Sequence, residues 1–81
     1  MELPTIDSKK TAENIKRLMR LNRLDTFDLA MALKMRSTTS IYAWTQGRII
    51  PSADNLVKLA AVFGVRIDDI LVISKDGGLN D

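Results

Sequence analysis

Between Ser37 and Gly47 the chain reads S-T-T-S-I-Y-A-W-T-Q-G, and two large apolar residues, Ile41 and Trp44, interrupt a run that is polar but for Ala43. At 3.6 residues per turn those two fall on one face of a helix, while Thr38, Thr39, Tyr42, Ala43 and Gln46 spread over the others. The pattern predicts a short helix over Thr38 to Gln46, with Ser37 as its N-cap and Gly47 as its stop. Two anchors hold it down, and it presents hydrogen-bonding groups with almost no charge. The single tryptophan invites a ligand-binding reading, but its i+3 relation to Ile41 makes it a core anchor. The remaining sequence is read as the platform that aims this surface.

Upstream, Met1 to Ile6 contains Pro4 and has no period, which reads as an N-terminal arm over residues 1–7. Asp7 or Ser8 can cap a first helix over Ser8 to Asn22, whose Ile15, Leu18 and Met19 form a buried stripe joined by Leu24. Lys16, Arg17, Arg20 and Arg23 lie around its outside. That stripe is too narrow for a membrane-surface helix and suits a core instead. A second helix opens at Asp25, with Asp28 at its third position and Leu29, Ala30 and Leu33 facing inward. Ala30 is small enough for another helix to approach closely. Phe27 and Met31 lie off this stripe, as the edge of the core or, alternatively, as an exposed contact for a partner.

Downstream, Arg48-Ile49-Ile50-Pro51 is an extended link, since a residue before proline avoids the helical region. Ser52 caps a fourth helix over Ala53 to Phe63, with Leu56, Leu59, Ala60 and Phe63 on one face and Gly64 as its stop. A fifth helix is expected over Ile67 to Ile73, with Asp68 and Asp69 in its first turn and Ile70 and Leu71 in the core. Residues 74–81 read as a flexible tail, and the domain proper as residues 8–73. Nothing in the sequence suggests strands, so the expected class is all-α, a compact bundle of five short helices.

Eighty-one residues make one domain, and a chain of that length buries only about 60 to 65 % of its unfolded surface. The sequence holds no cysteine and no histidine, which removes disulfides, thiolate nucleophiles, the usual zinc sites and imidazole acid-base chemistry together. An enzyme is therefore not expected; the carboxylates sit at helix starts, where capping accounts for them. No cofactor, metal or small-molecule ligand is expected. With no apolar run near the roughly 20 residues of a membrane span and no signal-peptide core, the expected location is cytoplasmic, without a membrane partner. The net charge of +2 hides an asymmetry: Lys9 to Arg48 carries nine basic and three acidic residues, a surplus of six, whereas Ile49 to Asp81 carries three basic and five acidic. Such a distribution suits a polyanion on one side of the molecule, or a merely solvated helix face.

With helices two and three placed, three segments agree in register: Leu24-Asp25-Thr26-Phe27-Asp28-Leu29-Ala30, Ser40-Ile41-Tyr42-Ala43-Trp44-Thr45-Gln46-Gly47-Arg48, and Pro51-Ser52 followed by Asn55-Leu56, Leu59-Ala60 and Phe63-Gly64-Val65. Together they resemble the phage-repressor-like (Xre-type, Cro/C1) helix-turn-helix DNA-binding family, over about Ala12 to Leu71. The resemblance implies a five-helix lambda-repressor-like domain in which helix two crosses the DNA backbone and helix three enters the major groove. It places Thr38, Thr39 and Ala43 at base-facing positions, with Tyr42 beside them. It places Thr26 at a phosphate contact, and Ser37, Gln46 and Arg48 at further backbone contacts; Lys34, Arg36 and Arg17 are added to the phosphate-contacting set as nearby cations. Thr26 stands where the family most often has glutamine, Arg66 where a serine-like cap is common, and the turn Lys34-Met35-Arg36-Ser37 is one residue longer than its commonest form.

Chemistry supports those roles independently. Hydroxyls of serine and threonine can bond base edges or phosphates, and a threonine methyl or Ala43 can meet a thymine methyl. None is a bidentate reader, so affinity should lean on Lys and Arg contacts to phosphate and fall steeply with salt. One short helix spans few base pairs, so a homodimer on two half-sites is expected, with Ile49, Ile50, Ile67, Val72 and Ile73 as interface candidates or, equally, as core. The expected function is a bacterial or mobile-element transcriptional regulator, a repressor, that binds double-stranded DNA sequence-specifically. The alternative is an antitoxin-like or co-regulator module that uses Phe27, Met31 or the C-terminal isoleucines to bind a small protein partner.

Overall fold

A computed structural model of the chain describes residues 3–74. Among them lie four α-helices, α1 (Ser8–Leu21), α2 (Thr26–Ala32), α3 (Thr39–Thr45) and α4 (Ala53–Phe63), then one 3-10 turn, Ile67–Asp69. Two short strands, β1 (Thr5–Ile6) and β2 (Ile73–Ser74), pair antiparallel with Thr5 opposite Ser74 and Ile6 opposite Ile73. The count of five α-helices is thus corrected to four, and the expectation of no strands is overturned. Of the tail expected over 74–81, Ser74 lies in β2 and residues 75–81 lie outside the described residues.

The helix starts follow capping chemistry. Asp7 accepts from Lys10 N at 2.9 Å, Ser52 accepts from Asn55 N at 3.3 Å, and Asp25 and Asp28 cap reciprocally, each carboxylate accepting the other's backbone N–H. Each such bond satisfies a donor that the helix itself leaves orphaned. The core then gathers Ile15, Leu18 and Met19 of α1, Leu29, Ala30 and Leu33 of α2 and its end, Ile41 and Trp44 of α3, Leu56, Leu59 and Phe63 of α4, and Ile70. Leu24 and Leu71 pack against it while half-buried. Phe27 and Met31 do not form its edge: they are 65 % and 64 % exposed. Leu29, Ala30 and Leu33 already fill the inward face of α2, and residues two or so positions away turn about 100° per step toward solvent.

The fifth helix is replaced because α1 claims its backbone. Asn14 Nδ2 donates to the carbonyls of Asp69 and Ile70 at 2.7 and 2.9 Å, and Val72 N donates to Thr11 Oγ1 at 2.9 Å. Asp7 N in turn donates to Val72 O at 2.8 Å. These bonds take the chain out of the helical path after Ile70, whose backbone is still helical, and the β-branched Val72 and Ile73 favour extended backbone. The segment ends as a strand beside the N-terminal arm.

Candidate nucleic-acid interface

α2 and α3 are joined by Leu33 to Thr38, and the geometry of that link decides where α3 points. α2 ends in a left-handed residue, Lys34 at φ 58, with Lys34 N on Met31 O at 3.1 Å and Met35 N on Ala30 O at 2.9 Å. Those two bonds are a Schellman closure, which uses the orphan carbonyls of the last turn and reverses the chain. Met35 is half-buried against the core, while Arg36 and Ser37 are exposed. Ser37 is not the N-cap of α3; Thr38 is, with φ −95 and ψ 2, and it makes no side-chain capping bond. The Ser37 hydroxyl accepts from Thr39 N at 3.5 Å, at the limit of a hydrogen bond. A cap needs extended backbone to aim its oxygen at the second or third amide, and Thr38 is not extended.

α3 is seven residues long, and its burial divides it cleanly. Ile41, Ala43 and Trp44 are buried; Thr39, Tyr42 and Gln46, at i, i+3 and i+7, share the exposed face, with Thr38 half-buried beside them. Thr45 spends its hydroxyl on Tyr42 O at 3.2 Å, whereas the Tyr42 ring is 49 % exposed. Ala43 is the exception among the residues expected to face bases: at 5 % exposure its methyl offers no surface to a ligand. Its backbone carbonyl, at the C-terminal end of the helix, accepts from Arg48 N at 3.0 Å and Ile49 N at 3.4 Å as the chain turns out of α3.

Gly47 closes α3 at φ 75, and the close approach of α1 adds a second constraint. A Cβ there would sit 3.5 Å from Lys9 Cα, 3.5 Å from Ser8 O and 3.7 Å from Ala12 Cβ. The end of α3 therefore rests on the first turns of α1, and α1 and α2 together fix its direction.

Of the cations expected to meet phosphate, Lys34, Arg36 and Arg48 are exposed along the link before α3 and the loop after it, with Gln46 and Ser37. Thr26 is half-buried as the first residue of α2. Arg17 is placed apart from these: its Nε and Nη2 donate to Asn14 Oδ1 at 3.0 and 2.7 Å, on the flank of α1 that holds the C-terminal segment. The interface candidates also divide. Ile49 and Ile73 are largely exposed, whereas Ile50, Ile67 and Val72 are half-buried, Ile67 against the core. Ile6, opposite Ile73 in the ribbon and 41 % exposed, belongs with the exposed pair. Only the strand register brings it there, and no periodicity in so short an arm signals it.

A capped helix, a Schellman turn and a second short helix that keeps its apolar side in the core and its hydroxyl side in solvent make a helix-turn-helix module. The family model of the Cro/C1-type HTH DNA-binding domain matches residues 14–76, and the chain belongs to that family. It is accordingly a DNA-binding regulator. No curated protein and no solved structure matches the chain. No helix among the described residues is long and apolar enough to cross a membrane.

Proposed function

We propose that the protein is a sequence-specific transcriptional repressor that binds its operator as a homodimer, with α3 of each copy in the major groove. The observation that carries this reading is the exposed face of α3, where Thr39, Tyr42 and Gln46 share a stripe and Thr38 stands at its head. A helix with side chains is about as wide as the groove is, about 12 Å, so it enters with that face toward the base edges. Thr38, Thr39 and Tyr42 read bases by hydroxyl bonds and methyl contacts. Thr26, Lys34, Arg36, Ser37, Gln46 and Arg48 hold the phosphates on either side. Ala43 and Arg17 leave the expected set, the first because it is buried and the second because Asn14 holds its guanidinium elsewhere.

The dimer in this reading uses Ile49, Ile73 and Ile6. Gly47 lies against Ser8, and Asp7 is bonded to Val72, so the α3–α4 loop and the ribbon bracket the start of α1 with their exposed isoleucines. Helix-turn-helix dimers bind half-sites about one helical turn of DNA apart, and a two-fold pair built there is proposed to meet that spacing. Selection of bound duplexes from a random pool tests the whole reading. The expected consensus is an inverted repeat with half-sites about 10 base pairs apart; enrichment of no sequence, or of a single asymmetric site, overturns it.

A further inference from the structure

We infer that Lys9 and Lys16 of α1 form a second phosphate-contacting track beside α3, on the edge where Ala43 and Gly47 lie. This rests on the DNA reading above and extends it to a helix outside the helix-turn-helix. Lys9 and Lys16 are seven residues apart, so they sit within about 20° of one another around α1. Ala12, three and four residues from them, lies on the same flank, and that flank is the one pressed against the end of α3: Gly47 would place a Cβ 3.5 Å from Lys9 Cα and 3.7 Å from Ala12 Cβ. On α3, Ala43 and Gly47 mark the edge that adjoins the exposed stripe through Gln46. The end of α3 therefore lies against the flank that carries Lys9, and helical periodicity carries that flank on to Lys16 two turns along α1.

Charge and groove dimensions point the same way. Both lysines are exposed, and the ion pairs among the described residues, Lys58 with Asp54 and Arg66 with Asp68, use neither. A helix about 10 to 12 Å across nearly fills a groove of about 12 Å, so whatever adjoins its long edge lies over a sugar-phosphate strand rather than over bases. Two ammonium groups on flexible stems, outside the ion pairs among the described residues, suit phosphodiester oxygens, and their contacts are indifferent to sequence. Lys10 provides the contrast. One residue on, it turns away to line the groove formed with Arg17, Asp69 and Ile73 on the opposite flank of α1.

The test is the salt dependence of binding to a fluorescein-labelled duplex of mixed sequence, for the wild-type protein and for Lys9→Gln, Lys16→Gln, the double variant and Lys10→Gln. Each phosphate contact contributes about 0.9 to the slope of log K against log salt. The slope is expected to fall by about 1 in each single variant and by about 2 in the double variant, and to hold in Lys10→Gln. Circular dichroism confirms that each variant is folded. If the wild-type protein binds with a salt slope and the double variant keeps it, the track does not exist. An equal fall in Lys10→Gln also overturns it, since net charge alone would then suffice. If the wild-type protein binds no duplex at low salt, the DNA reading itself fails, and this inference with it.

Discussion

Asn14 is the side chain with the most to hold. Its amide nitrogen donates to the carbonyls of Asp69 and Ile70 while its oxygen accepts two N–H groups of Arg17. An aspartate there would present oxygen to both carbonyls and leave them without a donor, and Arg17 would be its only compensation. Asn14→Asp is expected to cost about 1 to 3 kcal/mol, the range for stranding partly buried acceptors; an unchanged urea midpoint would refute this account of the C-terminal segment. Other residues were legible singly. Ile41 and Trp44 declare themselves as anchors by spacing, and both are buried, at 0 % and 3 % exposure. Ala43 was not legible, because a methyl group fits a core edge or a thymine equally well and only the packed fold, which leaves it 5 % exposed, settles which.

Helix ends repeat a single device. α1, α2 and α3 each close through a left-handed residue, Arg23 at φ 57, Lys34 at φ 58 and Gly47 at φ 75, followed by a bond back across the turn: Leu24 N to Met19 O, Met35 N to Ala30 O, Arg48 N to Ala43 O. α4 closes the same way through Gly64 at φ 69, with Val65 N on Ala60 O at 3.0 Å, so glycine announces the last two ends and not the first two. A non-glycine residue in this region costs roughly 1 to 2 kcal/mol, and glycine's extra freedom in the unfolded chain returns about 0.5 to 1 kcal/mol of that. Arg23→Gly is therefore expected to stabilise the fold by about 0.5 to 1 kcal/mol, read as a higher thermal midpoint. A lower midpoint would mean that the Arg23 side chain contributes something its exposure hides. Helix starts were easier to read than ends. Asp7, Asp25 and Ser52 all cap with their own oxygens, whereas α3 starts one residue later than Ser37, behind Thr38, whose backbone is not extended and whose side chain makes no cap.

Across the whole molecule, residues 69–74 are tied to α1 and, through the ribbon and Asp7, to residues 5–7. Thr11 is the only buried polar side chain among the described residues, at 1 % exposure, and its hydroxyl accepts from Val72 N at 2.9 Å. Thr11→Val keeps the shape and removes the acceptor, leaving a partly buried N–H without a partner. It is expected to cost about 1 to 3 kcal/mol. Amide hydrogen exchange should accelerate at Val72 and around the ribbon, with α2 and α3 unaffected; uniform acceleration through the molecule would show that the ribbon and the helix-turn-helix unfold as one. The sequence by itself determined the four α-helices, their inward faces, most of their starts and the polar side of α3, because period and capping are local and need only neighbours a turn away. Tertiary structure decided the rest. The fate of Ile67 to Ile73 turned on Thr11 and Asn14, some 55 to 61 residues earlier in the chain. The exposure of Phe27 and Met31, the burial of Ala43 and the pairing of Ile6 with Ile73 likewise depend on which segment arrives alongside, and no local pattern carries that information.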